Sequence, residues 1–347
     1  MKIHTIFTLI STLLCLSACG ERNTTPCSVL SPQSAIIPVV VDWSESGLTP
    51  SRATIGDDEV HRLSIRLYPK SGGDVVVRFL EANLSEDEIL VPVGSYSVIA
   101  INESVTDSYW EGAISFTDVD DFDLFAGELV TDEESSAAPP KGLVAWAIED
   151  FEVTQNMAIL TQGVTGVGDE LVSVTLTDEE QEHLIALTNV VMTPRTRSLS
   201  VSVTTENLGS SQSITASVKG LSRRVNIATG ATEVDPVSHS IVLDSFEYDS
   251  TTRADSDASG VASGTQLCFA HSDDYEDEYT LDLEIYLADG TKHEDEEQLS
   301  SVDIAEQVTS TDSGSDYQIS HTISLPIVEG GSIGVEEWNE EETIDLN

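Results

Sequence analysis

Carboxylates are the most abundant reactive groups in this chain, and their spacing decides what they can do. Thr117-Asp118-Val119-Asp120-Asp121-Phe122-Asp123 sets acids at near-alternating positions. Ser272-Asp273-Asp274-Tyr275-Glu276-Asp277-Glu278 and His293-Glu294-Asp295-Glu296-Glu297 are further acidic runs. Calcium needs several oxygen ligands at close range, and Asp-rich loops supply them. An EF-hand loop requires glycine at its sixth place; counting from Asp118, that place holds Asp123. With 62 acidic residues such runs arise by chance, so no metal site is assigned. Nucleophilic hydrolysis would need Ser or Cys beside His and an orienting acid. No G-x-S-x-G, H-E-x-x-H or phosphate-binding loop is present. The glycines at 163, 166 and 168 are followed by no Lys-Ser/Thr and read as a turn. Neither an enzyme nor a cofactor is expected. Tyr109-Trp110 is the one adjacent aromatic pair suited to stacking on a sugar face; packing in the core or between domains is the plainer reading of it.

One further group invites covalent chemistry, the thiol of Cys19. Lys2 gives a positive start, Ile6 to Leu16 an apolar run too short to span a bilayer, and Leu16-Ser17-Ala18 leads directly into the cysteine. This resembles the lipobox of bacterial lipoproteins. The resemblance implies removal of residues 1–18 and a lipidated Cys19 as the first mature residue. Residues 19–35, polar and carrying Pro26 and Pro32, read as a tether. Cys27 and Cys268 could form a long-range disulfide, but two unpaired thiols are preferred, with Cys268 a small buried hydrophobe in Gln266-Leu267-Cys268-Phe269. No cysteine spacing suggests zinc.

Composition sets the surroundings. The chain has 347 residues, 39% hydrophobic, which is enough for two globular domains. Its formal charge of −47, from 62 acidic against 15 basic side chains, repels phosphate backbones and anionic lipid headgroups. Nucleic acid is therefore not an expected partner, and membrane contact is expected through acyl chains alone.

Short β-branched runs dominate the chain beyond the tether. Strands are expected at 36–43, 61–69, 74–80, 94–102, 143–153, 171–177, 184–192, 199–205, 213–221, 240–248, 265–271, 279–290 and 317–327. Lys70-Ser71-Gly72-Gly73 reads as a hairpin connection. Leu63, Ile65 and Leu67 share one face, with Ser64 and Arg66 on the other; Tyr96, Val98 and Ala100 likewise share a face. That alternation predicts sheets covered on one side. Residues 178–191 allow a helix as an alternative, and 302–310 a short one. Segments 131–142 and 250–264 read as surface loops. The class is all-β, and Thr193-Pro194 divides residues 36–192 from 193–347.

Several runs resemble the fimbrillin-type lipoproteins of Bacteroidetes. They are Val41-Asp42-Trp43-Ser44 after the tether, Val91-Pro92-Val93-Gly94-Ser95-Tyr96-Ser97-Val98, Thr193-Pro194-Arg195 through Lys219-Gly220-Leu221, and Ile323-Ser324-Leu325-Pro326 followed by Gly330-Gly331 and Val335-Glu336-Glu337-Trp338. The resemblance implies two transthyretin-like β-sandwich domains in tandem. It implies a lipid-anchored subunit of fimbriae at the outer membrane, partnered by other fimbrial subunits through β-strand addition and facing a host or glycan ligand. In that family a protease that cuts after arginine frees the first strand of polymerising subunits. Arg52 stands where such a cut would fall, although on its residues alone an ordinary loop arginine is preferred. Only a short last strand, Thr343-Ile344-Asp345-Leu346, precedes Asn347, so no long donor tail is expected. Stalk, anchor and tip roles all stay open. The alternative is a surface glycan-binding lipoprotein of a nutrient-uptake system, with Tyr109 and Trp110 as its stacking residues.

Overall fold

The computed structural model describes residues 33–46, 62–81, 86–103, 110, 112–133, 135–162, 174–249, 257–311 and 315–328. Cys19, Cys27, Arg52, Tyr109, the glycine run 163–168 and the segment 343–346 lie outside the described residues. The first half holds β1 (Ser34–Asp42), β2 (Arg62–Pro69), β3 (Val76–Glu81), β4 (Glu86–Pro92), β5 (Gly94–Glu103), β6 (Ile114–Thr117), β7 (Ala126–Leu129), β8 (Ser136–Ala137), β9 (Val144–Val153), α1 (Gln155–Gln162), α2 (Asp178–Ile185), β10 (Val190–Val191) and β11 (Thr193–Pro194). The second holds β12 (Arg197–Glu206), β13 (Ser211–Ser222), β14 (Arg224–Asn226), β15 (Pro236–Val242), β16 (Ser245–Tyr248), β17 (Gly260–Cys268), β18 (Thr280–Leu287), β19 (Lys292–His293), α3 (Glu296–Leu299), β20 (Val302–Asp303), α4 (Ala305–Thr309) and β21 (Tyr317–Ser324). The chain is all-β, as expected.

The five-stranded sheet β11-β9-β5-β2-β3 is the centre of the first half. It was expected to be covered on one side and is covered on both. Tyr96, Val98 and Ala100 face one core with Leu63, Ile65 and Leu67, under the sheet β10-β1-β4. Ile99 and Ile101 face a second core with Phe125 and Leu129, beside the sheet β14-β7-β6. The continuous run Val98-Ile99-Ala100-Ile101 is the mark of such two-sided burial. On β2 the polar face is buried by pairing. Ser64 Oγ donates to Glu103 Oε1 at 2.8 Å, and Arg66 and Arg62 lie 3.2 and 3.4 Å from the same carboxylate. The Arg62 guanidinium also stacks 3.9 Å above the Phe79 ring.

Other expectations are corrected. Residues 174–177 form no strand; Thr177 caps α2, accepting from Glu180 N–H, and residues 171–173 lie outside the described residues. Thr177 and Glu180 complete a capping box, which outweighs the β-branched run before it. Residues 184–192 follow the helical alternative, with strand only at β10. The run 240–248 breaks at Leu243-Asp244 into β15 and β16, and Gly260–Gly264, read as loop, is the start of β17. The β2–β3 hairpin turns at Gly72 and Gly73, whose φ angles of 79° and 120° suit glycine.

The second half packs β16-β17-β12-β21 against β19-β18-β13-β15-β8 around Leu199, Val201, Val203, Ile214, Leu283 and Ile319. Cys268 is buried there, its thiol 3.7 Å from the Arg197 carbonyl, and burial pushes its pKa up. Pairing also runs across residue 193. β14 adds to β7, β8 adds in parallel to β15, and β11 pairs with β9. Arg224 Nη2 lies 3.2 Å from Asp118 Oδ2, and its Nε 3.4 Å from Glu128 Oε1. Arg195 donates to the carbonyls of Ile227 and Ala228, and burial brings its pKa down to about 10.

Gly260 meets β16 at Tyr248, where a Cβ would stand 2.1 Å from the Glu247 carbonyl oxygen and 2.9 Å from Tyr248 Cα. Backbone cannot yield there as a side chain could. Gly260→Ala is expected to cost about 2 kcal/mol, read as a lowered thermal midpoint of the purified chain. An unchanged midpoint would show that β16 gives way freely.

Candidate functional site

β1 and the groove that holds it form the site that could act in assembly. Its sequence alternates: Ala35, Ile37, Val39 and Val41 are buried, while Ile36, Pro38 and Val40 are half-buried. The inward set enters the core between the β10-β1-β4 sheet and the central sheet. There it shares one apolar cluster with Leu63, Ile65 and Leu67 of β2, Phe151 of β9 and Met157 of α1.

The two edges of β1 are held differently. Toward β4 it forms an antiparallel ladder from Ser34↔Pro92 to Val40↔Glu86. Away from β4, Ile36 N–H donates to Thr161 Oγ1 at 3.0 Å, and Gln162 Nε2 donates to the Ser34 carbonyl at 2.7 Å. Pro38 is two residues beyond Ile36 and points the same way, so its missing N–H costs the β4 ladder nothing. Among the described residues, only Val41 and Asp42 gain a second strand, pairing in parallel with β10. β1 thus has a full ladder on one side and two side chains of α1 plus a short parallel contact on the other. Beyond β1 the chain turns, and Ser44 N–H donates to Asp42 Oδ1 at 2.8 Å, which holds the Asp42 carboxyl below its usual range.

The clamp on β1 is itself braced. Glu180 of α2 accepts from Thr154 Oγ1 at 2.7 Å and Asn156 Nδ2 at 3.0 Å, which ties α2 to the start of α1. The Thr177 backbone N–H, with these donors, holds the Glu180 carboxyl below its usual range.

Of the residues singled out in the sequence, Trp110 is the one site residue described. It is half-buried and stands edge-on to Phe116, with ring centroids 5.6 Å apart. In the acidic loop, Asp121 Oδ1 accepts from the N–H groups of Asp123 and Leu124, and Asp118 pairs with Arg224. Among the described residues no group of three or more His, Cys, Asp or Glu is placed to hold a metal ion. Among them, too, no helix is long and apolar enough to cross a membrane. Sequence reasoning missed β4, the partner of β1. Its signal was the alternation of Ile89 and Val91, both buried, with exposed Leu90.

A family profile described as a domain of unknown function, DUF5119, matches residues 30–243. The chain belongs to the DUF5119 family. The matched DUF5119 region starts just before β1 and ends just after β15, so it includes the whole groove. No curated protein matches the sequence. Among solved structures, a candidate adhesin from Bacteroides ovatus is 15% identical, with 90% of this chain and 95% of that one covered and a TM-score of 0.50. This likeness shows a shared fold. A candidate adhesin from Bacteroides thetaiotaomicron is 13% identical over 87% of this chain and 93% of that one, with a TM-score of 0.45. The fimbrial anchor protein Mfa2 from Porphyromonas gingivalis is 12% identical over 84% of this chain and 90% of that one, with a TM-score of 0.44.

Proposed function

We propose that this DUF5119 chain is a non-enzymatic, lipid-anchored subunit of an adhesive or fimbrial assembly on the outer membrane, joined to other subunits by β-strand addition. The observation that carries the reading is β1 itself. It is a single alternating strand that fills an apolar groove, holds a full ladder on one edge only among the described residues, and is followed by a connection containing Arg52. A strand so placed can be exchanged for an equivalent strand of a sister protein, which would recover the same ladder and the same buried contacts. The fold shared with the Bacteroides ovatus candidate adhesin supports the same class of role. In this reading Cys19 carries the acyl chains, residues 36–192 and 193–347 are the two sandwich units, and Trp110 packs the first of them.

The test uses the native cell. Labelled palmitate should enter the wild-type chain and not a Cys19→Ser variant, and surface fibres should contain the chain. Fibres of unchanged length and composition after deletion of the gene would overturn the assembly role. In this lipid-anchored reading the bond after Arg52 stays intact, so Arg52→Ala should leave surface attachment unchanged, and a mature surface chain beginning at Ala53 would overturn the lipid anchoring of the body.

A further inference from the structure

β21 closes one side of the sheet β16-β17-β12-β21 and pairs in parallel with β12. Alternate residues of a strand turn their N–H and C=O groups to opposite edges. Leu325 N–H, just past β21, donates to the Glu206 carbonyl, so the odd-numbered residues face β12 and the even-numbered ones face outward. An outward row of unpaired backbone groups is a template for another chain.

Side chains occupy two places of that row, at Ser320 and Ser324. Ser320 N–H donates to Gln307 Oε1 at 2.7 Å, and Gln307 Nε2 donates to the Ser320 carbonyl at 3.2 Å. A primary amide offers a donor and an acceptor side by side, so Gln307 stands in for one residue of a neighbouring strand. Ser324 N–H donates to Gln298 Oε1 at 2.7 Å. The other end of that amide is held by Asp295 Oδ2 at 2.5 Å, which fixes the oxygen toward Ser324. Gln298 and Gln307 ride on α3 and α4, and Leu299, Ile304 and Val308 root this segment in the core. The side chains of Gln318, Ser320, Thr322 and Ser324 are exposed and neutral. The Ser324 hydroxyl donates to Glu206 Oε2 at 3.0 Å beside this edge, and a strand edge is complementary to itself about a two-fold axis, so the same edge of a second copy is the occupant it fits.

We propose that α3 and α4 form a strap whose Gln298 and Gln307 amides keep the outer edge of β21 closed to strand addition by a second copy of this chain. The strap lies in the second half of the chain and is independent of the β1 groove. A Gln298→Ala/Gln307→Ala variant of the full chain should self-associate at a concentration about tenfold lower than wild type in sedimentation velocity. Its backbone amides around Ser320 and Ser324 should exchange with solvent about tenfold faster when monomeric. Adding Ser320→Pro removes the outward N–H and should return the variant to monomer. A double variant that stays monomeric overturns the proposal, as does association that survives Ser320→Pro. Wild-type exchange decides the matter if the double variant fails to fold: Ser320 and Ser324 amides that exchange as in an unstructured chain also overturn it.

Discussion

Deleting residues 33–46 should leave the first half of the chain without a stable fold, and a synthetic peptide of the sequence Ser34–Asp42 should restore it. Ile37, Val39 and Val41 are buried, as is Ala35. Burying a side chain of the larger kind contributes about 1.5–3 kcal/mol. Three of them bring on the order of 5 kcal/mol or more, which reaches the stability of a typical domain, about 5–15 kcal/mol. The deletion also strips β4 of its ladder partner and Thr161 and Gln162 of theirs. Near-ultraviolet circular dichroism and limited proteolysis of the deleted chain would follow the loss, and the same signals would follow recovery with peptide. A peptide carrying Ile37→Asp should fail, because an unpaired carboxylate cannot be buried at that place. A deleted chain that melts at the wild-type temperature would remove the physical basis for strand exchange.

The second large effect is a dependence of stability on acid that belongs to one residue. His239 of β15 is fully buried, and neither ring nitrogen has a hydrogen-bond partner among the described residues. Burial lowers its pKa to about 4. In the unfolded chain the ring takes a proton near pH 6.5, its ordinary value. Between these two values the unfolded state binds a proton that the folded state refuses, so stability falls as pH falls. The contribution is whole above about pH 6.5 and is gone by about pH 4, a loss on the order of 3 kcal/mol. Denaturant unfolding at a series of pH values would measure it. His239→Leu should flatten the wild-type slope across that window. An identical slope in both proteins would mean that other groups carry the acid response.

Much of this architecture was legible in the sequence, and the failures have local causes. β1, β2, β5, β9, β12, β13, β18 and β21 were found because their apolar residues alternate or run together over eight residues or more. β4 was missed because acids fill its first half, and the short strands β6, β7 and β8 have too few residues for a period to emerge. Residues 174–177 misled because Val174 and Leu176 alternate as a strand would, while the Thr177-to-Glu180 cap was the stronger instruction. One-sided cover was expected of β2 because Ser64 and Arg66 are polar, yet both are paired with Glu103 from β5, a contact thirty-seven residues away for Arg66. At the candidate site, the alternation of β1 could be read directly. Its unequal edges could not, since Thr161 and Gln162 lie far along the chain from Ser34 and Ile36.

The strand pairs that cross residue 193 have a mechanical consequence. β14 lies on β7, β8 lies on β15, and Phe269 and Val237 share a core with Ile99 and Leu143. Tension applied to one half must therefore shear hydrogen-bonded rungs in the other before the halves can part. The two halves are therefore expected to come apart in one cooperative step rather than one after the other, because neither can leave without breaking the other's ladder.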